Sequence, residues 1–242
     1  MARPPAPRPN ARLSASQLAD YLVAPTPIGQ MGILRQAKYP GPNRPLIIQY
    51  QHAKRAIAEC LRNRAATARI IAEAVVSLEQ RRDDPGCTPL VRDDAQRSID
   101  VILQFQRSAN NLDLWQAIYD EAPARPATLN INGVEISVFP DALALSQARS
   151  DNRVGQVFIR CTIGQQGDAA ENRRAEANGH LATIAHLHAT HYLAHRGIPH
   201  APTSIVLDVP RGQVARGAVN MARRIANIET ACAMIAALWP TV

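Results

Sequence analysis

The sequence predicts an α/β fold in which a mixed sheet follows an N-terminal helical region. Three observations support this prediction. Apolar residues recur at helical spacing in the first half of the chain, short alternating runs begin at residue 128, and a long helical segment separates two later strands. A helix between two strands favours a parallel pair joined by a crossover, and a hairpin earlier in the sheet makes it mixed.

The composition places the chain among globular proteins that neither enter a membrane nor leave the cell. Of its 242 residues, 46% are hydrophobic, which is enough for a sizeable core. No apolar run approaches the roughly 18 residues of a membrane span, and the N-terminus lacks the apolar segment of a secretory signal. Four scattered cysteines, without metal-loop spacing, are typical of a reducing compartment. We therefore expect a cytoplasmic protein.

The N-terminal residues alternate between tail, helix and loop signals. Residues 1–12 are rich in Arg and Pro, which predicts a disordered basic tail. Ser14 or Ser16 can cap a short helix that ends near Leu22. Residues 24–45 are rich in proline and contain three glycines, and this composition predicts a loop.

Apolar residues at helical spacing then predict three helices. They span about residues 45–63, 65–82 and 92–121. The Asp-Asp-Pro-Gly-Cys sequence ends the second of them. In the third, Trp115 and Ile118 belong to the face that we expect to point inward.

The strands follow. Two short alternating runs, 128–131 and 134–138, are joined by Asn132-Gly133, which is the strongest short-range signal for a hairpin. Pro140 bends or interrupts the second strand, and residues 142–145 extend it. The remaining predicted elements are a strand over 154–163, a helix over 168–195, a strand over 204–209 and a final helix over 214–238.

Two features resemble a known nuclease superfamily. From residue 92 the predicted order is helix, three strands, helix, strand, which resembles the restriction-endonuclease-like αβββαβ core of PD-(D/E)xK nucleases. Residues 14–25 read SASQLADYLVAP, which resembles the RecB-like motif Ser-x-Ser-x-Leu-x-x-Tyr/Phe-x-x-Cys-Pro. The resemblance implies a tail over 1–12, a helical region or insertion over 13–91, and a nuclease-like core over 92–242.

The resemblance also implies where catalytic groups would lie. The superfamily uses one acid on the second strand, and an acid two residues before a Lys on the third, to hold Mg²⁺ and orient water. Asp141 resembles the first acid and metal ligand, and Glu135, on the same predicted strand, is its rival. Arg160 takes the place of the Lys. Phe158 stands where the second acid would be, and it cannot bind a metal.

The implied active site is therefore incomplete. No acid lies between Asp151 and Asp168, and no Lys follows Lys54. A migrated carboxylate from Glu171 or Glu176 could fill the gap. Mg²⁺ is expected only if the protein is active. Ala24 replaces the motif's Cys, so no iron–sulfur cluster is expected.

The net charge of +7 lies entirely within residues 1–58, which favours a polyanion partner for that segment. We expect DNA, with contacts from Arg35, Lys38, Lys54 and Arg55. A solvated basic tail followed by a helix of mixed charge explains the same residues. The predicted function is a DNA-binding or DNA-processing protein. The alternative is a non-enzymatic interaction protein of a mobile-element or defence assembly that docks through its helical segment.

Other candidates are weaker. His188, His191 and His195 share a predicted helix face with His180, where neutral imidazoles could hold a transition metal. Asp208 ends a predicted buried strand, a position that often faces a ligand crevice. Basic residues on or near the last predicted helix could contact phosphates; they are Arg211, Arg216, Arg223 and Arg224. No P-loop, dinucleotide-binding or hydrolase motif occurs.

Overall fold

A computed structural model describes residues 6–40, 49–148 and 151–242. Within these ranges it contains seven α-helices and nine β-strands. The helices are α1 (Ala15–Leu22), α2 (Pro27–Lys38), α3 (Gln51–Arg62), α4 (Thr67–Asp83), α5 (Pro89–Ser108), α6 (Asp168–Tyr192) and α7 (Ala222–Leu238). The strands are β1 (Arg12–Ser14), β2 (Ile118–Asp120), β3 (Thr128–Ile131), β4 (Val134–Ser137), β5 (Ala142–Ala148), β6 (Asp151–Arg160), β7 (Ile198–Pro199), β8 (Ile205–Asp208) and β9 (Gln213–Arg216).

The main sheet has the strand order β2-β5-β6-β8-β9, and the short β7 pairs with the start of β6. Strands β2, β5 and β6 are antiparallel neighbours, whereas β6 and β8 are parallel and are connected through α6. The α/β fold class with a mixed sheet is confirmed. The order α5, β2, β5, β6, α6, β8 is αβββαβ, but its first strand is not the one that the sequence predicted.

The predicted hairpin is confirmed, yet it belongs to a second sheet. Strands β3 and β4 pair in antiparallel fashion, and β1 adds to β4 in parallel. Asn132 and Gly133 have φ angles of 47° and 81°, as the tight two-residue turn requires. The prediction that residues 142–145 extend the second hairpin strand is wrong. Val138–Pro140 separate β4 from β5, so Glu135 lies within a strand of the small sheet, whereas Asp141 immediately precedes a strand of the main sheet.

Helix α5 ends at Ser108, and the prediction of a helix to residue 121 is wrong. Polar residues after Ser108 favour turns, and Asp113 adopts a positive φ of 51° that no helix accommodates. The chain then forms β2 at the edge of the main sheet. Ile118, which helical spacing placed inward, is 75% exposed, whereas Tyr119 is buried opposite Ala144.

The predicted loop over 24–45 contains helix α2. The hydroxyl of Thr26 accepts a hydrogen bond from the N–H of Gly29 at 3.1 Å, and Pro27 occupies the first turn, where its missing N–H costs nothing. The proline that suggested a loop therefore starts a helix. The predicted helix start at residue 45 lies outside the described residues, and α3 begins at Gln51.

Two further predictions at the C-terminal end need correction. The predicted final helix began at residue 214, but β9 occupies that region and pairs with β8. Helix α7 follows only at Ala222. Helix α6 ends at Tyr192, earlier than predicted, and a 3₁₀ turn covers Ala194–Arg196.

The main sheet lies between two hydrophobic cores. Helices α3, α4 and α5 pack on one face, against residues that include Val157 and Ile159 of β6. Helices α1, α2, α6 and α7, together with the small sheet, pack on the other face, where Phe158 and Val206 are buried. The helices of the predicted N-terminal region are therefore divided between the two faces of the sheet.

The basic N-terminal segment is partly incorporated into the second core. The N–H of Arg8 donates to the carbonyl of Lys38 at 2.9 Å, and the indole of Trp239 donates to the carbonyl of Arg8 at 3.1 Å. Ala11 is 5% exposed. The chain is thus held in place from Arg8 onward. Within the described ranges, none of the helices combines the length and apolarity needed to cross a lipid bilayer.

Candidate functional site

A groove of about 780 Å³ opens where the carboxyl ends of β6 and β8 approach the start of α6. We call it the strand-end groove. Helices α1 and α3 and the loop after β6 complete its walls. Four basic side chains line it, and Asp20 is the acidic residue on its wall; the basic residues are Lys54, Arg160, Arg173 and Arg174. Such a lining suits an anionic ligand.

Lys54 and Asp141 form an ion pair at one side of this groove. The ammonium of Lys54 lies 3.3 and 3.2 Å from the two carboxylate oxygens of Asp141. One of these oxygens also accepts a hydrogen bond from the N–H of Ile159 at 2.7 Å. The N–H of Asp141 donates to the carbonyl of Val157 at 2.7 Å. Asp141 is therefore held between the end of the sheet and α3.

Arg160 takes its partner from the opposite face of the sheet. Its guanidinium donates to the carboxylate of Asp20, on α1, at 3.0 Å. Its side chain is 14% exposed. Asp141 instead pairs with Lys54 of α3, which packs on the other face. Asp141 and Arg160 thus have different charged partners, and no hydrogen bond or ion pair joins the two among the described residues.

Asp208 is the centre of a buried polar cluster next to the groove. Arg174 binds it through two guanidinium nitrogens, and the amide of Asn178 donates to the same carboxylate at 3.0 Å. The side chains of Arg174 and Asp208 are 10% and 1% exposed. Burial of this kind fixes the first half of α6 against the end of β8.

Glu171 does not supply a migrated metal ligand. Arg211 binds both of its carboxylate oxygens, and this interaction lowers the pKa of Glu171. Arg211 also donates to the carbonyl of Ile163 at 2.7 Å, so it ties the loop after β6 to α6. Glu176 lies in another groove beside His180. Among the described residues, no hydrogen bond or ion pair links Asp141 to the partners of either carboxylate.

The residues at the strand-end groove do not fit a magnesium ion. Mg²⁺ requires several oxygen ligands in near-octahedral geometry. In the part of the chain that the structure describes, no three His, Cys, Asp or Glu residues are grouped so as to hold a metal. Carboxylates here have basic partners instead; the pairs are Asp141–Lys54, Asp20–Arg160, Asp208–Arg174, Glu171–Arg211 and, on the small sheet, Glu135–Arg12.

The four predicted nucleic-acid contacts have different environments. Lys54 and Arg55 both border a neighbouring cavity of about 930 Å³ on the α3 side. Arg35 is exposed on α2. Lys38 is occupied, because its ammonium donates to the carbonyl of Trp239 at 2.7 Å.

Sequence reasoning missed Arg173. It lines the groove, and no ion pair or hydrogen bond joins it to another described residue. Its only sequence signal is a position one residue before Arg174 on a predicted helix.

Among the described residues, the histidines of the predicted shared helix face do not form a group that could hold a metal. His188 is buried, with its two ring nitrogens 2.7 Å from the amide of Gln156 and 2.9 Å from the carbonyl of Ala127. Burial lowers the pKa of His188. His195 is exposed beyond the end of α6. Of the four histidines on the predicted shared face, His180 and His188 are buried, whereas His191 and His195 are exposed.

Cys161 lines the groove but is unsuited to act as a nucleophile. It is 2% exposed, and burial raises the pKa of its thiol to about 12. A thiol with such a pKa stays protonated at neutral pH, and the thiolate is the reactive form.

The chain has no match among models of protein families or among curated protein sequences. The resemblance to RecB-like nucleases therefore rests on residues 14–25 and on the order of elements. Within residues 14–25, Ser14 caps α1: its hydroxyl accepts from the N–H of Gln17, and the Gln17 side chain accepts from the N–H of Ser14. A capping box of this kind is a general device for starting helices.

Proposed function

We propose that this protein binds nucleic acid, with DNA as the first candidate, in the strand-end groove and does not cleave it. One observation carries the proposal. The carboxylate that resembles a metal ligand, Asp141, is bound by the ammonium of Lys54 at the edge of a groove with mainly basic charge. A cationic groove without a metal centre suits a ligand that is held by its phosphates.

The charges available to a ligand come from side chains that are not fully engaged. Arg173 and Arg55 have no ion-pair partner among the described residues, and they border the groove and the adjoining cavity. Arg160 uses one guanidinium nitrogen for Asp20, which leaves further donors. Phosphates would therefore contact Arg55, Arg160 and Arg173, with Lys54 between them.

Hydrolysis is not part of the proposal, for two reasons. Asp141 already accepts hydrogen bonds on both oxygens, and no other carboxylate joins it among the described residues. Arg160, in the place of the superfamily's Lys, stays protonated and cannot act as a base. We also place the protein in the cytoplasm, because its four cysteines are free thiols, which are typical of a reducing compartment.

A binding assay tests the proposal directly. Fluorescently labelled single-stranded DNA, double-stranded DNA and RNA are titrated with protein between about 50 and 200 mM salt, where phosphate contacts weaken strongly. We expect tight binding of at least one probe at low salt and a steep loss with added salt. The double variant R55Q/R173Q should bind more weakly and with a smaller salt slope. Arg69→Gln, an exposed change on α4, is the matched control.

A cleavage assay in Mg²⁺ or Mn²⁺ tests the absence of catalysis. We expect no product from the unmodified protein, from Asp141→Ala or from Lys54→Met. Metal-dependent cleavage that Asp141→Ala abolishes would contradict the proposal and favour an active nuclease. Absence of binding to every probe at low salt would favour the alternative, an interaction protein of a mobile-element or defence assembly.

A further inference from the structure

A second groove lies on the other side of the first half of α6. It has a volume of about 530 Å³, within the range of small-molecule sites, and we call it the His180 groove. The end of α1, the middle of α6 and the outer part of α7 form its walls. Its polar lining includes Arg173, Glu176, His180, Asn227 and Thr230.

His180 is buried in this groove without hydrogen bonds. Its side chain is 4% exposed, and its Nδ1 atom has no partner. Its Nε2 atom lies 3.7 Å from the carboxylate of Glu176, which is too long for a hydrogen bond. Buried polar groups are nearly always paired, because an unpaired one costs free energy. His188, about two turns further along α6, has both ring nitrogens paired. His180 therefore has bonding capacity that the described residues leave unused.

Two arginines without carboxylate partners flank His180. No ion pair or hydrogen bond involving Arg173 or Arg224 exists among the described residues. Arg224 lies against Gly179, where a Cβ atom would be 2.8 Å from its guanidinium. A glycine at this position thus allows the cation to lie directly on α6, next to His180.

Burial keeps His180 neutral at neutral pH. Burial lowers the pKa of His180, Glu176 opposes this effect, and Arg224 adds to it. A neutral imidazole offers one donor and one acceptor. The groove thus presents the guanidinium of Arg173, a neutral imidazole and an exposed carboxylate, and the guanidinium of Arg224 lies beside it against Gly179.

We propose that the His180 groove binds a small phosphomonoester that also carries hydroxyl or amino groups, such as a nucleoside monophosphate or a sugar phosphate. Two guanidinium groups match the oxygens and double charge of a phosphate better than the two oxygens of a carboxylate. Glu176 would repel a bare anion but accepts a hydrogen bond from a ligand hydroxyl or amine. His180 completes the recognition from the buried wall. Only Arg173 and Val23 are shared with the strand-end groove.

Calorimetric titration tests the site with four probes: adenosine 5′-monophosphate, ribose 5-phosphate, inorganic phosphate and adenosine. We expect binding of one or both phosphomonoesters, weaker binding of inorganic phosphate, and no binding of adenosine. Arg224→Gln should raise the dissociation constant about tenfold or more, as expected for the loss of a charge-assisted hydrogen bond. Arg223→Gln, the exposed neighbour on α7, is the matched control and should bind normally.

Asn227→Ala gives a second variant that does not touch the packing between α6 and α7, because Asn227 is exposed at the groove. It should also weaken phosphomonoester binding. Failure of both phosphomonoesters to bind would overturn the proposal, and so would equal binding by Arg224→Gln and the unmodified protein. Inorganic phosphate bound as tightly as the phosphomonoesters would overturn the role of the hydroxyl or amino groups.

Nitrogen-detected NMR of the imidazoles provides an independent readout. Phosphomonoester should shift the His180 ring signals and leave those of His188 unchanged, because His188 is already fully paired. Shifts confined to other histidines would contradict the assignment of the site.

Discussion

The two grooves beside α6 share Arg173 but differ in whether their other charged side chains have ion-pair partners. In the strand-end groove, the acids beside the basic side chains are bound to them, as in Asp141–Lys54 and Asp208–Arg174. At the His180 groove, Arg173 on its wall and Arg224 beside it have no such partner among the described residues, and His180 is buried without a hydrogen bond. Paired charges hold the fold together, whereas unpaired charges are available to a ligand. Removing one member of a buried pair should therefore affect mainly stability, whereas removing an unpaired arginine should affect mainly binding.

The largest effect should come from the buried pair at the end of β8. Asp208→Ala leaves the guanidinium of Arg174 buried without its partner, which should lower the free energy of unfolding by about 3–5 kcal/mol. Chemical denaturation measures it. Asp120→Ala is the control, because its pair with Arg196 is half exposed and should contribute about 0–1 kcal/mol. Equal losses in the two variants would show that burial does not distinguish the pairs.

Asp141→Ala should have an intermediate effect. It removes the acceptor for the N–H of Ile159 and the partner of Lys54, and we expect a loss of about 1–3 kcal/mol. Asp20→Ala provides the comparison, since the side chain of Asp20 is 53% exposed and its loss should cost less than about 1 kcal/mol. A stabilised Asp141→Ala protein would instead indicate that Asp141 is held at a cost for another role.

His188 should make a smaller contribution to stability, and this contribution should depend on pH. Burial lowers the pKa of His188 in the folded protein below the ordinary value of 6.5. As pH falls, His188 takes up a proton in the unfolded chain before it does so in the folded protein. Its contribution to the free energy of unfolding is therefore complete above about pH 6.5 and decreases below it. His188→Asn should show a smaller loss of stability than the unmodified protein between neutral and mildly acidic pH. An unchanged pH profile would contradict this assignment.

Arg173→Gln should have the smallest effect on stability. Because Arg173 has no ion pair or hydrogen bond within the described chain, its replacement should change the free energy of unfolding by no more than about 0.5 kcal/mol. The same variant should weaken ligand binding. A loss as large as that of Asp208→Ala would mean that Arg173 is a structural residue and would remove the contrast between paired and unpaired charges.

Local signals in the sequence predicted the elements that depend on local contacts. Asn132-Gly133 predicted its hairpin because only a tight turn with positive φ at both residues joins such strands. The same approach missed β2 and β9, each of at most four residues. Strand β2 is stabilised by β5, where Leu145 pairs with Ile118, and Ile118 fitted a helical pattern although the chain had already left the helix. Strand β9 instead pairs with the preceding β8, across a short 3₁₀ turn over Val209–Arg211.

The candidate site was less predictable for the same reason. The sequence identified Asp141, Arg160 and Lys54 separately, but their pairing depends on which face of the sheet each neighbouring helix covers. Lys54 did have a signal of its own. The chain contains only two lysines against 25 arginines, and the other, Lys38, is occupied by the C-terminal turn. No pattern in the sequence indicates that Arg173 and Arg224 lack partners.

The parallel pairing of β1 with β4 has a consequence for the order of folding. Residues 12–14 pair with residues 135–137, and α1 packs against α6, which is later still in the chain. Helices α3, α4 and α5 are neighbours in sequence and can pack together soon after synthesis. Residues 12–22, which are made before these partners, must therefore wait with their apolar side chains uncovered until β4 and α6 have been made.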